Sequence, residues 1–131
     1  MKSTLVLAAA VAVTMILAPD ARAQSADAGK DVFKKCQACH RVGEGAKNVV
    51  GPILNGLEGR KSGTVEGYNY SPANKNSGIT WTQAEFLDYI KDPRAKIKGT
   101  KMIFPGIKNE KEALDLWAFL KQYGPDGKSK P

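Results

Sequence analysis

Three stretches of the chain carry apolar residues at a helical period, and the segments between them carry none. In the first, Gly29, Val32, Phe33 and Cys36 stand at i, i+3, i+4 and i+7, one helical face, with Ser25 or Asp27 placed as cap. The second opens at Thr82-Gln83-Ala84-Glu85, a capping-box pattern, and runs through Phe86, Leu87, Tyr89 and Ile90 until Pro93. The third opens at a second capping box, Asn109-Glu110-Lys111-Glu112. Its apolar face is Ala113, Leu116, Trp117 and Leu120, and Gly124-Pro125 ends it. From Gly43 to Gly78 lie 8 of the 13 glycines, so neither a long helix nor a regular strand is expected there. Ser71-Pro72-Ala73-Asn74-Lys75 is the exception, one helical turn with proline at its first position. The tail after Gly124 is expected to fray. The fold class is therefore all-α, three helices joined by long glycine-rich loops. Loops of that length are unusual in a compact domain unless they wrap something.

Residues 1–23 stand apart from this pattern. Lys2 precedes a run without charge from Leu5 to Ala18, and Ala21-Arg22-Ala23 is a small-x-small site. That layout is a secretory signal peptide cut after Ala23, and the run is too short for the roughly 20 apolar residues of a membrane span. The expected division is a signal peptide over 1–23 and one domain over 24–131. The domain keeps 108 residues with net charge +6, His40 as its one histidine, Met102 as its one methionine, and Cys36 and Cys39 as its cysteines. Two cysteines exclude a disulfide-rich scaffold. A core built from three helices is modest for this length, and a large apolar cofactor would supply the missing buried surface.

Cys36-Gln37-Ala38-Cys39-His40 is the C-x-x-C-H haem attachment motif. Thiols three residues apart on a helical turn reach two vinyl groups on one haem edge, and the adjacent histidine then comes beneath the macrocycle. A zinc site wants four ligands, and here three crowd into five residues. A thioredoxin-like pair wants a βαβ context that is absent. With His40 on one side of the iron, the sixth position falls to Met102, to a lysine, or stays open. Met102 is favoured because it is the sole methionine of 24–131 and sits on the Gly99-Thr100-Lys101-Met102 loop. Sulfur ligation of this kind raises the potential.

These residues make the chain resemble class I cytochrome c, in particular short bacterial and mitochondrial members. The resemblance runs over the whole of 24–131. It rests on Gly29-Lys30-Asp31-Val32-Phe33, Cys36 to His40, Gly51-Pro52, Gly59-Arg60-Lys61, Tyr68-Asn69-Tyr70-Ser71, Ala73-Asn74-Lys75, Gly78-Ile79-Thr80-Trp81 and the methionine loop. It implies that the terminal helices cross, with Gly29 and Phe33 against Leu116 and Phe119, while a third helix and the loops enclose one covalent haem c and its iron. It further implies that the Pro52 carbonyl accepts the His40 ring N–H. Arg60, Tyr70 and Trp81 would hold a haem propionate, and Asn74, Tyr89 and Thr100 would form the polar network beside the Met102 sulfur. Three positions depart from the family pattern. Lys98 replaces a proline of the methionine loop, Phe119 a tyrosine and Trp117 an aliphatic residue. Losing that proline removes a backbone restraint, so Lys101, Lys98 or Lys96 is expected to displace Met102 at lower pH than in proline-bearing relatives.

A six-coordinate iron leaves no position for substrate, and no second histidine serves as acid or base. The reading is a non-enzymatic, diffusible periplasmic electron carrier. A membrane-tethered redox subunit requires residues 1–23 intact, and a haem peroxidase requires Met102 off the iron. Lys34, Lys35, Lys47, Lys61, Arg94, Lys96, Lys98, Lys101 and Lys108 flank the ligand segments. As a set they suggest docking on acidic faces of membrane redox complexes: a bc1 complex, a terminal oxidase or a photosynthetic reaction centre. No nucleic-acid-reading motif and no stable membrane insertion are expected, and the protein is expected to be a monomer.

Overall fold

The computed structural model describes residue 12 and residues 24–130. The signal-peptide reading falls on residues that lie, apart from residue 12, outside those described.

Among the described residues five helices follow one another: α1 (Ala26–Phe33), α2 (Pro72–Lys75), α3 (Gln83–Lys91), α4 (Pro93–Lys96) and α5 (Glu110–Leu120). Each starts where a side chain satisfies an orphan backbone N–H. Ser25, not Asp27, caps α1 by accepting from the Ala28 N–H. Ser71 caps α2, Thr82 α3 and Asn109 α5 in the same way. The fourth helix is a difference from the sequence pattern. Pro93 ends α3 and also stands at the first position of α4, whose cap is Asp92 accepting from the Ala95 N–H.

The helices α1 and α5 cross at a seam that admits no side chain at position 29. A Cβ there would lie 1.8 Å from the Asp115 carbonyl oxygen and 2.8 Å from the Phe119 Cβ. Beside this contact the Phe33 and Phe119 rings meet with centroids 5.3 Å apart. On its other flank α5 packs against α3 through Phe86 and Trp117, centroids 5.1 Å apart. Covered on both flanks, α5 is buried from Ala113 to Leu120, beyond the single face its period suggested. Asp115 lies within that buried run. Its Oδ1 accepts from the Ser25 N–H at 2.8 Å, and its Oδ2 meets the Lys111 ammonium at 2.8 Å. Desolvation pushes its carboxyl up, but those two donors outweigh it and hold the group below the ordinary carboxylate value.

The loops are held by hydrogen bonds rather than by regular ladders. Among the described residues extended pairing is confined to two isolated bridges, Lys61–Thr80 and Tyr123–Ser129. The second corrects the expectation of a frayed tail. Residues 122–130 turn back on themselves, with Gly124 N–H to Lys128 O at 3.0 Å and Lys130 N–H to Gln122 O at 2.7 Å. Gly127, with φ +79°, seats so close to Gly43 that a Cβ would lie 2.2 Å from its carbonyl oxygen. Backbone contacts of this kind leave no hydrophobic period in the sequence.

Candidate functional site

Between the helical frame and the loops lies a cavity of about 360 Å³. All eleven site residues named from the sequence line it: Cys36, Cys39, His40, Pro52, Arg60, Tyr70, Asn74, Trp81, Tyr89, Thr100 and Met102. Its apolar walls include Leu57, Phe86, Ile90, Leu116 and Leu120, all buried. Thus α3 and α5 each give one flank to the frame and another to the cavity.

The motif segment follows α1 directly. Its turns are closed by Cys39 and His40 N–H groups, both donating to the Cys36 carbonyl at 3.1 and 2.9 Å. Both cysteines are free thiols. Burial, with a smaller contribution from Cys39, pushes the Cys36 thiol up to about 11. A disulfide-exchanging cysteine needs the opposite shift, so the environment argues against the thioredoxin-like alternative. The His40 ring is buried, with Nδ1 2.7 Å from the Pro52 carbonyl oxygen. Since a carbonyl only accepts, Nδ1 carries the proton and Nε2 keeps its lone pair. Burial lowers the imidazole below its ordinary pKa against the opposing Pro52 bond, so the ring is neutral at pH 7. Gly51 makes this approach possible, because a Cβ there would lie 2.6 Å from the His40 ring.

Met102 sits between α3 and its own loop. The Tyr89 hydroxyl donates to the Met102 sulfur at 2.9 Å, and the Met102 N–H donates to Thr100 Oγ1 at 3.2 Å. Burial pushes the Tyr89 phenol up to about 12, so it stays a donor at neutral pH. Trp81 meets the Tyr89 ring edge-on, centroids 4.9 Å apart. Asn74 lines the cavity, but its hydrogen bonds run through its backbone, from N–H to Ser71 and to C=O from Ser62. The structure thus places Tyr89 and Thr100 at the methionine and leaves the Asn74 amide uncommitted.

Arg60 donates through Nη1 to the carbonyls of Ile53 at 3.1 Å and Asn55 at 2.9 Å. Among the described residues no carboxylate comes within 4 Å of it, although burial is enough to lower its pKa. A half-buried guanidinium without a carboxylate fits a site whose occupant brings its own anionic groups. Tyr70, nearby on the lining, accepts the Val65 N–H at 3.1 Å through its hydroxyl. Sequence reasoning passed over Asn55, which is buried with its amide oxygen and nitrogen both bonded to Gly43. A polar residue followed by glycine in a loop reads only as a turn.

At the mouth, Val50 and Ile103 are 71% and 89% exposed and belong to the lining together with Lys35 and Lys101. Several of the flanking cations are engaged: Lys34 with Asp31, Lys35 with Glu112, and Lys96 with both Glu85 and Asp88. Its bonds to Asp88 and Glu85 hold the Lys96 ammonium above its ordinary value. The Lys101 ammonium donates to the Asn69 carbonyl, and Lys98 is exposed.

The attachment turn, a neutral imidazole and a thioether around one apolar cavity define a haem protein of the c type. The cytochrome c family model matches residues 26–124. The chain is 68% identical over 107 residues to a cytochrome c2 of Rhodoplanes tepidamans, an alignment covering 82% of this chain and all of that one. It is 58% identical over 125 residues to the cytochrome c2 of Blastochloris viridis, covering 95% and 93% of the two chains. Cytochrome c2 from Rhodospirillum centenum superposes with a TM-score of 0.73 at 40% identity, covering 77% of this chain and 99% of that one. This chain belongs to the cytochrome c family, class I, and carries covalently bound haem c with its iron as an electron-transport protein.

Proposed function

We propose that the protein is a diffusible periplasmic carrier, freed of residues 1–23, that moves single electrons between membrane redox complexes. In this reading Cys36 and Cys39 form the two thioethers, and His40 and Met102 hold the iron. Arg60, Tyr70 and Trp81 take a propionate. The bound haem supplies an iron that holds or releases one electron with its ligands unchanged.

The chain's own residues do the rest. Pro52 fixes the His40 ring through Nδ1 and strengthens Nε2 as a donor. Tyr89 and Thr100 pin the methionine from two sides, its sulfur and its backbone. That grip favours a carrier over a peroxidase, which would need the sixth position open. The buried walls exclude water, and among the described residues no helix is long and apolar enough to cross a membrane. Exposed Val50 and Ile103 beside the lysines at the mouth suit an acidic docking face with an apolar centre, on a bc1 complex, a terminal oxidase or a reaction centre. The departure of Lys98 belongs to the same reading, as the lysine free to compete for the iron when pH rises.

The observation that carries the proposal is the meeting of His40, Met102, both cysteines and unpaired Arg60 on one cavity. Met102→Ala in the haem-loaded protein is expected to lower the reduction potential and turn the ferric spectrum high-spin. Unchanged optical and redox behaviour would overturn the assignment. Electron-transfer rates with an isolated membrane complex are expected to fall steeply as salt rises, and a flat profile would remove the electrostatic docking face.

A further inference from the structure

The peptide unit joining Asn55 to Gly56 is bonded at both ends. Its carbonyl accepts from Arg60 Nη1 at 2.9 Å, and its N–H donates to the Tyr123 carbonyl at 3.0 Å. The orientation of this one plane therefore ties the cavity's unpaired guanidinium to the C-terminal segment. The Asn55 side chain fixes the plane from a third direction. Its Oδ1 accepts the Gly43 N–H at 2.8 Å and its Nδ2 donates to the Gly43 carbonyl at 2.9 Å, a double bond pair to a residue three beyond His40.

The tail closes over this knot. A Cβ on Gly56 would lie 3.0 Å from Pro125, and one on Gly127 would lie 2.2 Å from the Gly43 carbonyl oxygen and 2.8 Å from Asn55 Nδ2. Both glycines have positive φ, +65° and +79°, so the chain reverses where no other residue sits without strain. The Asn55 amide oxygen and nitrogen are both bonded to Gly43, the following peptide is bonded at both ends, and Arg60 has two carbonyls to rest on, one of them Asn55's own.

We propose that Asn55, clamped by Gly43 and the 122–130 tail, is a positioning residue that aims Arg60 into the cavity and thereby sets the reduction potential. The inference rests on the functional reading above, in which Arg60 faces the haem carboxylates. A cation held at fixed distance favours the state with the extra electron, and one that swings out or is more hydrated does so less. Asn55→Ala frees the amide clamp, and Gly127→Ala pushes the tail off Gly43. Both lower the potential by loosening one arginine.

The test uses the haem-loaded protein and spectroelectrochemical titration. Asn55→Ala and Gly127→Ala are each expected to shift the potential downward while the ferric spectrum stays low-spin. In an Arg60→Gln background, where the cation itself is gone, the same substitutions are expected to give no further shift. Ser25→Ala, which uncaps α1 far from this knot, is expected to lower the melting temperature without moving the potential. No shift in the native background, equal shifts in both backgrounds, or a matching shift from Ser25→Ala would each overturn the inference. The functional reading fails by a separate sign, a parent protein without the haem spectrum or without a methionine ligand.

Discussion

The helical frame and the loop wall are held by different physics. At the seam of α1 and α5 the backbones touch, and the filling is aromatic and aliphatic: Phe33, Phe119, Phe86 and Trp117. The wall from residue 41 to residue 80 contributes few buried apolar side chains, among them Leu57 and Tyr70, and is tied by single hydrogen bonds around a hollow. The apolar walls of that site, about 360 Å³ in volume, are covered only when a large apolar group lies against them. The frame is thus made by the chain, whereas the wall needs what it encloses.

The largest test of this contrast removes the attachment. A Cys36→Ala/Cys39→Ala chain, purified without haem, is expected to lose amide-exchange protection throughout 41–80, while α1 and α5 still exchange more slowly. Equal protection in both regions would erase the distinction. Next in size is the seam itself. Gly29→Ala places a methyl group against the Asp115 carbonyl and is expected to destabilise the holoprotein by about 2–3 kcal/mol, read as a lower urea midpoint with an unchanged potential. A shift in potential would mean that frame and wall are not separable.

The smallest effect concerns Asp115. Its folded-state pKa is depressed, so its stabilisation is present above the unfolded value near 3.8 and is lost as pH falls through the folded one. Asp115→Asn is expected to cost about 1–2 kcal/mol at neutral pH. The gap from the parent should close as pH falls past the unfolded value and through the lower folded one. A gap independent of pH would show that the carboxylate charge contributes nothing to holding α1 on α5.

Where the chain signals itself locally, the sequence was readable. Ser71, Thr82 and Asn109 announce the starts of α2, α3 and α5, and the glycine density announced a region that wraps rather than packs. The site was readable for the same reason, because the attachment motif is five contiguous residues. What escaped depends on partners far along the chain. Asp115 sits between two buried leucines on α5, and its partner, the Ser25 N–H, lies 90 residues away. Asn55 is committed to Gly43, and the tail to the carbonyl and amide groups of Gln122 and Gly124. Backbone partners carry no residue-type signature. The short α4 was the avoidable omission, since Asp92-Pro93 is both a helix stop and a helix start.

The α1–α5 seam has a consequence for how the molecule comes into being. Positions 29 and 115 lie far apart along the chain, so the tightest contact cannot form until synthesis has delivered the last helix. Until that moment the nascent polypeptide has no stable shape to shelter its thiols. The segment bearing Cys36 and Cys39 stays open to whatever machinery must handle it.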